Sequence, residues 1–339
     1  ADLDAAFRTI KSEIGVIDLS GLPAKIEAAK PKSFVEVVAL RKESYDKIRS
    51  RIRPLDGTKF ITETRQLAPN RAFARGLLGT VDEATKEDMD RNPGVFALGD
   101  QVGHGGLQGK YDARLRGTPG VAVLINRKAP DGTVSSTEVF RSEPKAGSPL
   151  KTTLDQRVQS AADAALAGEA RNTSLVAIRV ADGAVLAAAN GPRGGTGNLA
   201  FTAQVPPGST FKVVTALSLL DAGKVSPDQK VNCPKTFNVP GRPPVKNAKN
   251  FALGSVPFHT DFAKSCNTAF AALAPQLEPG ALAATGAMLG IGVEWDLGID
   301  AYRGKVFTGD SPAELAAAAF GQGTTLVSPL AMAGAVAAV

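Results

Sequence analysis

Ser209-Thr210-Phe211-Lys212 sets a hydroxyl and an amine at the spacing S-x-x-K. On a helix, positions three apart share a face, with Cβ atoms about 5–6 Å apart. Lys212 can then take the proton that makes Ser209 a nucleophile. The spacing alone discriminates poorly, because it recurs at Ser44/Lys47, Ser142/Lys145 and Ser148/Lys151. Context separates the four. Ser44 and Lys47 lie in a charged stretch whose polar groups need only water. Pro144 and Pro149 interrupt the next two pairs and disfavour the helix that would join their side chains. Ser209 instead follows Pro206-Pro207-Gly208 and opens an apolar segment running to Leu220. A helix starting there offers unpaired amides and a positive dipole end to developing negative charge. Burial would lower the Lys212 pKa and fit it to act as a base. Two plainer readings stay open on this motif: Ser209 as an N-cap, and Lys212 as a snorkelling surface lysine.

Ser265-Cys266-Asn267 is the one S-x-N in the chain, placed after a loop and before the apolar run Ala269-Phe270-Ala271-Ala272-Leu273. A serine there can relay a proton between Lys212 and a leaving amine, and an asparagine can grip a substrate amide. By itself it also fits an ordinary helix cap.

The elements that must carry these residues follow from periodicity. Phe34 to Leu40 reads as a strand and Lys42 to Arg53 as a solvated helix. Gly103 to Gly109 reads as a turn-rich hinge, and Val121 to Asn126 with Thr133 to Arg141 as a hairpin. Gly147-Ser148-Pro149 marks a boundary. Beyond it come a helix over 155–170 and a hairpin, Leu175 to Val180 and Val185 to Ala189, turning at Asp182-Gly183. A Gly- and Pro-rich loop, 191–208, leads into the Ser209 helix. A polar loop through Lys249, a short helix over 261–274 and Ala-rich helices complete the chain. Long helices beside an antiparallel hairpin argue for an α+β fold.

Composition sets limits. At 339 residues, with 43% hydrophobic and 21% charged residues, two soluble domains are expected. No apolar run is long enough to span a bilayer. Net charge is +6 with only 6% aromatics and no Lys/Arg run, which makes nucleic acid the weakest partner. Two histidines, His104 and His259, leave any His-rich metal site short of ligands. Gly194 to Gly197 lacks the Lys-Ser/Thr of a phosphate loop. Glu143, Asp155 and Asp182 sit where capping explains them. Cys233 and Cys266 fit no metal spacing; they suit either a reduced buried pair or a disulfide.

Taken together, the motifs resemble the penicillin-recognising serine enzymes, whose signatures are S-x-x-K, S-x-N and K-T-G. The Pro206 to Lys212 phrase is similar to the PPGSTFK of class B penicillin-binding proteins, and Ser265 to Phe270 to their SxNTxF segment. Gly321-Gln322-Gly323 with Ser328-Pro329-Leu330-Ala331-Met332-Ala333 resembles the stretch ahead of K-T-G. Gly106-Leu107-Gln108, Tyr111 and Leu115-Arg116-Gly117 resemble part of the non-catalytic pedestal, or dimerisation, domain. The likeness covers about residues 70–339, and more loosely the rest.

The resemblance implies an α+β transpeptidase domain of the penicillin-binding-protein and β-lactamase type over 148–339, after an elongated α+β pedestal over 1–147. It implies a peptidoglycan D,D-transpeptidase with Ser209, Lys212 and Ser265 catalytic and Asn267 binding substrate. Peptidoglycan stem peptides and β-lactam antibiotics would be its ligands. A cell-wall glycosyltransferase or a division or elongation protein would be a further partner. No metal and no cofactor is called for. The family is extracytoplasmic, on the outer face of the bacterial membrane, where thiols oxidise, so a Cys233–Cys266 disulfide is expected. The rivals are a non-catalytic scaffold, a β-lactam sensor, a β-lactamase or a D,D-carboxypeptidase. No K-T-G occurs; Lys235-Thr236-Phe237 lacks the glycine and precedes S-x-N. The family order puts that strand past Val339, so truncation is expected, and the 339 residues alone are expected to be inactive.

Overall fold

The computed structural model describes residues 3–14, 19–29, 33–62, 68–70, 72–130 and 132–339. It divides into two compact units, Ala1–Leu67 and Ala68–Val339.

The first unit is helical: α1 Leu3–Ile14, α2 Leu22–Ala28 and α3 Lys42–Ile52. Ile10 of α1 and Ile48 and Ile52 of α3 are buried, and Arg51 ion-pairs with Glu13 at 2.8 Å. The strand expected over Phe34 to Leu40 does not form. Its β-branched residues favour extended backbone, but a strand needs a hydrogen-bonding neighbour, and Phe34 stays exposed.

The second unit opens with α4 Arg75–Leu78, β1 Thr80–Glu83, α5 Lys86–Arg91, β2 Gln101–His104, α6 Gly106–Lys110 and α7 Asp112–Leu115. A capping box between Thr85 and Asp88 starts α5. The expected hinge at Gly103 to Gly109 is therefore ordered: β2 pairs antiparallel with β1, and α6 follows directly. Glycines misled there because they serve close packing; a Cβ on Gly103 would lie 2.2 Å from the Gln108 carbonyl oxygen. Strands β3 Val121–Lys128 and β4 Val134–Ser142 form the expected hairpin, exposed along its length. Tyr111 donates to the Gly298 carbonyl at 2.6 Å, and Asp163 accepts from the Ala74 amide at 3.1 Å. These bonds tie residues before 148 to those after it.

Asp155 caps α8 Gln156–Leu166 by accepting from the amides of Arg157 and Val158. This helix packs on the hairpin of β5 Ser174–Arg179 and β6 Ala184–Asn190 through Ala162, Ala187 and Ala189. Gln159, wholly buried, holds both the amide and the carbonyl of Ala188 with its side chain. The stretch expected as a loop contains α9 Leu199–Thr202, whose Ala200 and Phe201 are buried with Leu330.

Helix α10, Lys212–Asp221, runs through the largest apolar cluster. Strands β7 Lys230–Cys233, β8 Thr236–Phe237 and β9 Val245–Lys246 occupy the expected polar loop, and β10 Gly254–Pro257 follows it. They pair as two antiparallel ladders, β7 with β10 and β8 with β9. Runs of two to four residues are too short to show an alternating pattern. The helix expected over 261–274 is two: α11 Phe258–Ala263 and α12 Asn267–Leu273. Helices α13 Ala281–Met288, α14 Pro312–Ala318 and α15 Pro329–Ala337 complete the core, with Ser311 and Ser328 capping the last two. Small antiparallel ladders embedded among helices make an α+β fold. Among the described residues, no helix is long and apolar enough to cross a membrane.

Candidate active site

Ser209 lies on a single 3-10 turn, Gly208–Phe211, that runs directly into α10. Apolar burial drives that placement: Phe211 and Val214 are fully buried, which holds the turn against the core. The turn is clamped from outside. The Gly208 amide donates to the Gly321 carbonyl at 2.8 Å. A Cβ on Gly321, whose φ is +73°, would lie 1.9 Å from the Gly208 carbonyl oxygen. No larger residue fits the turn that backs Ser209.

The two plain readings of this motif do not describe it. No side-chain cap begins either helical segment, so Ser209 is not an N-cap, and its side chain is exposed. Lys212 does not snorkel; it is 2% exposed. Its Nζ lies 3.1 Å from Ser209 Oγ, 3.0 Å from Ser265 Oγ, 3.0 Å from the Ser265 carbonyl oxygen and 2.6 Å from Asn267 Oδ1. Burial lowers its pKa from the usual 10.5 to about 8. The Phe270 ring, 5.5 Å from Nζ, faces the same group.

These four neighbours are chemically unequal. The Asn267 Oδ1 and the Ser265 carbonyl only accept, whereas each serine hydroxyl can also donate. Asn267 is oriented by its Nδ2, which donates to the Lys246 carbonyl in β9 at 3.0 Å. A neutral Lys212 amine has two hydrogens and one lone pair. The two acceptors take the hydrogens, and the lone pair is left for a serine hydroxyl. In its neutral form this amine can receive the Ser209 proton.

Ser265 reaches Lys212 because the chain breaks there. It adopts φ +60°, in the left-handed region that non-glycine residues seldom enter. That kink ends the α11 segment, restarts the helix at Asn267, and turns both the hydroxyl and the carbonyl of Ser265 toward Nζ. The helix cap is Cys266, whose sulfur accepts from the Ala269 amide, and not Ser265. Cys266 and Cys233 are joined, with Cα atoms 6.2 Å apart, so the S-x-N turn is covalently tied to β7.

Sequence reading missed two residues here. Asn247, 3% exposed, donates to the carbonyls of Pro234 and Phe251 at 3.0 Å and accepts from the Thr268 amide at 3.1 Å. It pins the loop carrying β8 and β9 against α12. Asp261, fully buried beside the disulfide, has no hydrogen-bond partner for either carboxylate oxygen among the described residues. Burial pushes its carboxyl up to about 6. A lone Asn and a lone Asp leave no pattern that could have flagged them. The sulfurs beside Asp261 are spent in the disulfide, so this trio is not a thiolate metal site. His104 bonds Asp88 at 2.9 Å, and His259 is exposed beside Asp228.

In front of Ser209 and Asn267 opens a cavity of about 430 Å³, with Arg242, Glu314, Phe320 and Gln322 on its other walls. Ser44/Lys47, Ser142/Lys145 and Ser148/Lys151 have no part in it.

An α+β fold that sets a helix-borne Ser–Lys pair against a Ser–Asn pair defines the class of penicillin-recognising serine proteins. The model of the penicillin-binding protein transpeptidase domain matches residues 173–339, and that of the penicillin-binding protein dimerisation domain matches 8–152. The chain belongs to the class B penicillin-binding proteins. It is 27% identical over 230 residues to the peptidoglycan D,D-transpeptidase MrdA of Acinetobacter baumannii, covering 61% of this chain and 33% of that protein. Penicillin-binding protein PbpB of Mycobacterium tuberculosis is 32% identical over 228 residues, covering 58% of this chain and 32% of its own length. The chain thus spans about a third of the curated relatives it matches. The imipenem acyl-enzyme complex of penicillin-binding protein A from M. tuberculosis superposes with a TM-score of 0.53 at 25% identity. That match covers 57% of this chain and 52% of the other. Pseudomonas aeruginosa PBP2, at TM-score 0.59 and 24% identity over 78% of this chain and 61% of its own, shares the fold.

Proposed function

We propose that this protein is a peptidoglycan D,D-transpeptidase that is acylated on Ser209 by stem peptides ending in D-Ala-D-Ala, and by β-lactams in their place. One observation carries the reading: the buried Lys212 Nζ sits within hydrogen-bond reach of Ser209 Oγ, Ser265 Oγ and Asn267 Oδ1 at once.

In this scheme Lys212 takes the hydroxyl proton as Ser209 Oγ attacks the carbonyl of the penultimate D-Ala. The proton passes through Ser265 to the nitrogen of the terminal D-Ala, the C–N bond breaks, and an ester remains on Ser209. The amine of a second stem then attacks the ester. Its proton returns by the same route to Ser209 Oγ as the C–O bond breaks, leaving the cross-link. Asn267 holds the donor peptide. The names of the relatives and their acyl-enzyme structures support this chemistry. The residues divide into a pedestal over 1–147 and a transpeptidase domain over 148–339. The protein works on the extracytoplasmic face of the membrane, where a disulfide persists, beside a glycosyltransferase or a division or elongation protein.

The test is labelling of the full-length protein with a fluorescent penicillin, followed by peptide mass mapping. An adduct on Ser209 that persists, and that vanishes in Ser209→Ala, is the expected result. Rapid loss of the label would point to a β-lactamase, and no label at all to a scaffold.

A further inference from the structure

Two consecutive residues at the end of β9 hold two consecutive residues at the start of α12. The Lys246 carbonyl accepts from Asn267 Nδ2 at 3.0 Å, and Asn247 Oδ1 accepts from the Thr268 amide at 3.1 Å. That amide is one of the donors a helix leaves unpaired in its first turn; the next, on Ala269, goes to the Cys266 sulfur. Asn247 Nδ2 points the other way. It donates to the Pro234 carbonyl, between β7 and β8, and to the Phe251 carbonyl, both at 3.0 Å. One side chain, 3% exposed, thus joins three stretches of chain.

Two of those stretches are strained. Among the described residues four that are not glycine adopt a positive φ, and three of them are Lys249 at +53°, Asn250 at +57° and Ser265 at +60°. Such backbone is costly and persists only where its surroundings over-determine it. Lys249 and Asn250 lie in the loop that Asn247 closes, its side chain reaching Phe251 and its carbonyl accepting from the Asn250 amide at 3.0 Å. Ser265 stands three residues before Thr268. The Cys233–Cys266 bond tethers that turn, but it does not orient the amide of Asn267. The bonds from residues 246 and 247 do.

We infer that Asn247 is a positioning residue that locks β9 onto α12, and thereby keeps the Asn267 amide turned with its oxygen toward Lys212. It acts through Asn267 and not on the substrate. Asn267 Oδ1 meets Lys212 Nζ at 2.6 Å while Nδ2 is held by Lys246. An amide turned the other way would aim N–H donors at an ammonium that has only donors of its own. The inference rests on Lys212 being the base for Ser209. Among the described residues no carboxylate lies within 4.0 Å of Lys212. Its ionisation therefore reports the Asn267 contact.

The test is a titration of Lys212 by ¹³C-lysine NMR in the full-length protein, for Asn247→Ala, Asn267→Ala and the two combined. Asn247→Ala should lower the inflection by about half a unit or more, because the acceptor that favours the ammonium is no longer held. The combined variant should lie within about 0.2 unit of Asn267→Ala, since both changes remove the same contact. Gln159→Ala is the control: it removes another wholly buried side chain, one that clamps the Ala188 backbone away from the site. It should lower stability and leave the inflection in place. An unmoved inflection in Asn247→Ala, shifts that add in the combined variant, or an equal shift in Gln159→Ala would overturn the positioning role. Should Asn247→Ala fail to fold, hydrogen exchange in the wild type decides. The Asn247 Nδ2 hydrogens and the Thr268 amide should share one protection, about a hundredfold or more over the side chain of exposed Asn238. A protected Thr268 amide beside freely exchanging Asn247 hydrogens refutes the lock. Neither measurement needs acylation, so coupled shifts in a protein that never takes up fluorescent penicillin keep the positioning role and sink the transpeptidase.

Discussion

Moving the pH across the ionisation of Lys212 tests the catalytic pair most directly. Its pKa of about 8 follows from desolvation of an amine that is 2% exposed. Only the neutral amine can accept the Ser209 proton, so acylation should track its fraction. For a pKa of 8 that fraction is about 1% at pH 6, about 10% at pH 7, half at pH 8 and about 90% at pH 9. Acylation by a fluorescent penicillin should therefore rise about tenfold from pH 6 to 7 and less than about twofold from pH 8 to 9. An ordinary lysine would produce the tenfold rise in both intervals. Removing the Asn267 acceptor at 2.6 Å should move the inflection lower, because that bond favours the ammonium. A hydrogen bond to a charged group is worth about 1.5–3 kcal/mol and one to a neutral group about 0.5–1.5, so Asn267→Ala should shift it by about one unit. NMR of ¹³C-lysine-labelled protein reads the same ionisation at Lys212 Cε without turnover. A rate still climbing tenfold per unit through pH 9, or a Lys212→Arg variant as fast as wild type, would refute the assignment, since arginine stays charged.

Three further perturbations have definite signs. The Asp261 carboxyl titrates near 6 in the fold against 3.8 in a free chain. Its contribution is therefore full below pH 3.8 and lost as the pH rises through 6, and denaturant titrations should show Asp261→Asn about 3 kcal/mol more stable than wild type at pH 7 but equal to it near pH 4. A stability gain of the same size at both pH values would disprove this. The disulfide closes a sequence separation of 33 residues, so Cys233→Ala with Cys266→Ala should cost about 4 kcal/mol of unfolding free energy on the chain-entropy account. An unchanged denaturation midpoint would contradict that figure. Gly321→Ala, by forcing a Cβ against the Gly208 carbonyl, should slow Ser209 acylation while the Lys212 NMR ionisation stays near 8; wild-type rates would show that the turn can yield.

What the chain declared by itself is what depends on neighbours in sequence. The Ser209–Lys212 pair was legible because three residues on a helix set both distance and face. The preceding Pro-Pro-Gly and the following apolar run then separated it from three identical spacings. The hairpin of β5 and β6 and the Asp155 cap were legible for the same reason: alternation and capping act over a few residues. Family likeness added the expectation that Cys233 pairs with Cys266, which spacing had left open. Tertiary structure decided everything that depends on distant segments meeting. Whether Lys212 is a base or a surface lysine rests on its burial and on Ser265 and Asn267 arriving from far along the chain. Their arrival rests on a left-handed kink at a serine, which no propensity favours. Strand 34–40 failed and β7 to β10 went unseen because pairing partners, and not local preference, make a ladder. Arg242 and Glu314 share a cavity only because the β8–β9 turn folds against the start of α14. Local spacing chose the chemistry; packing, which alone controls desolvation and long-range approach, made it available.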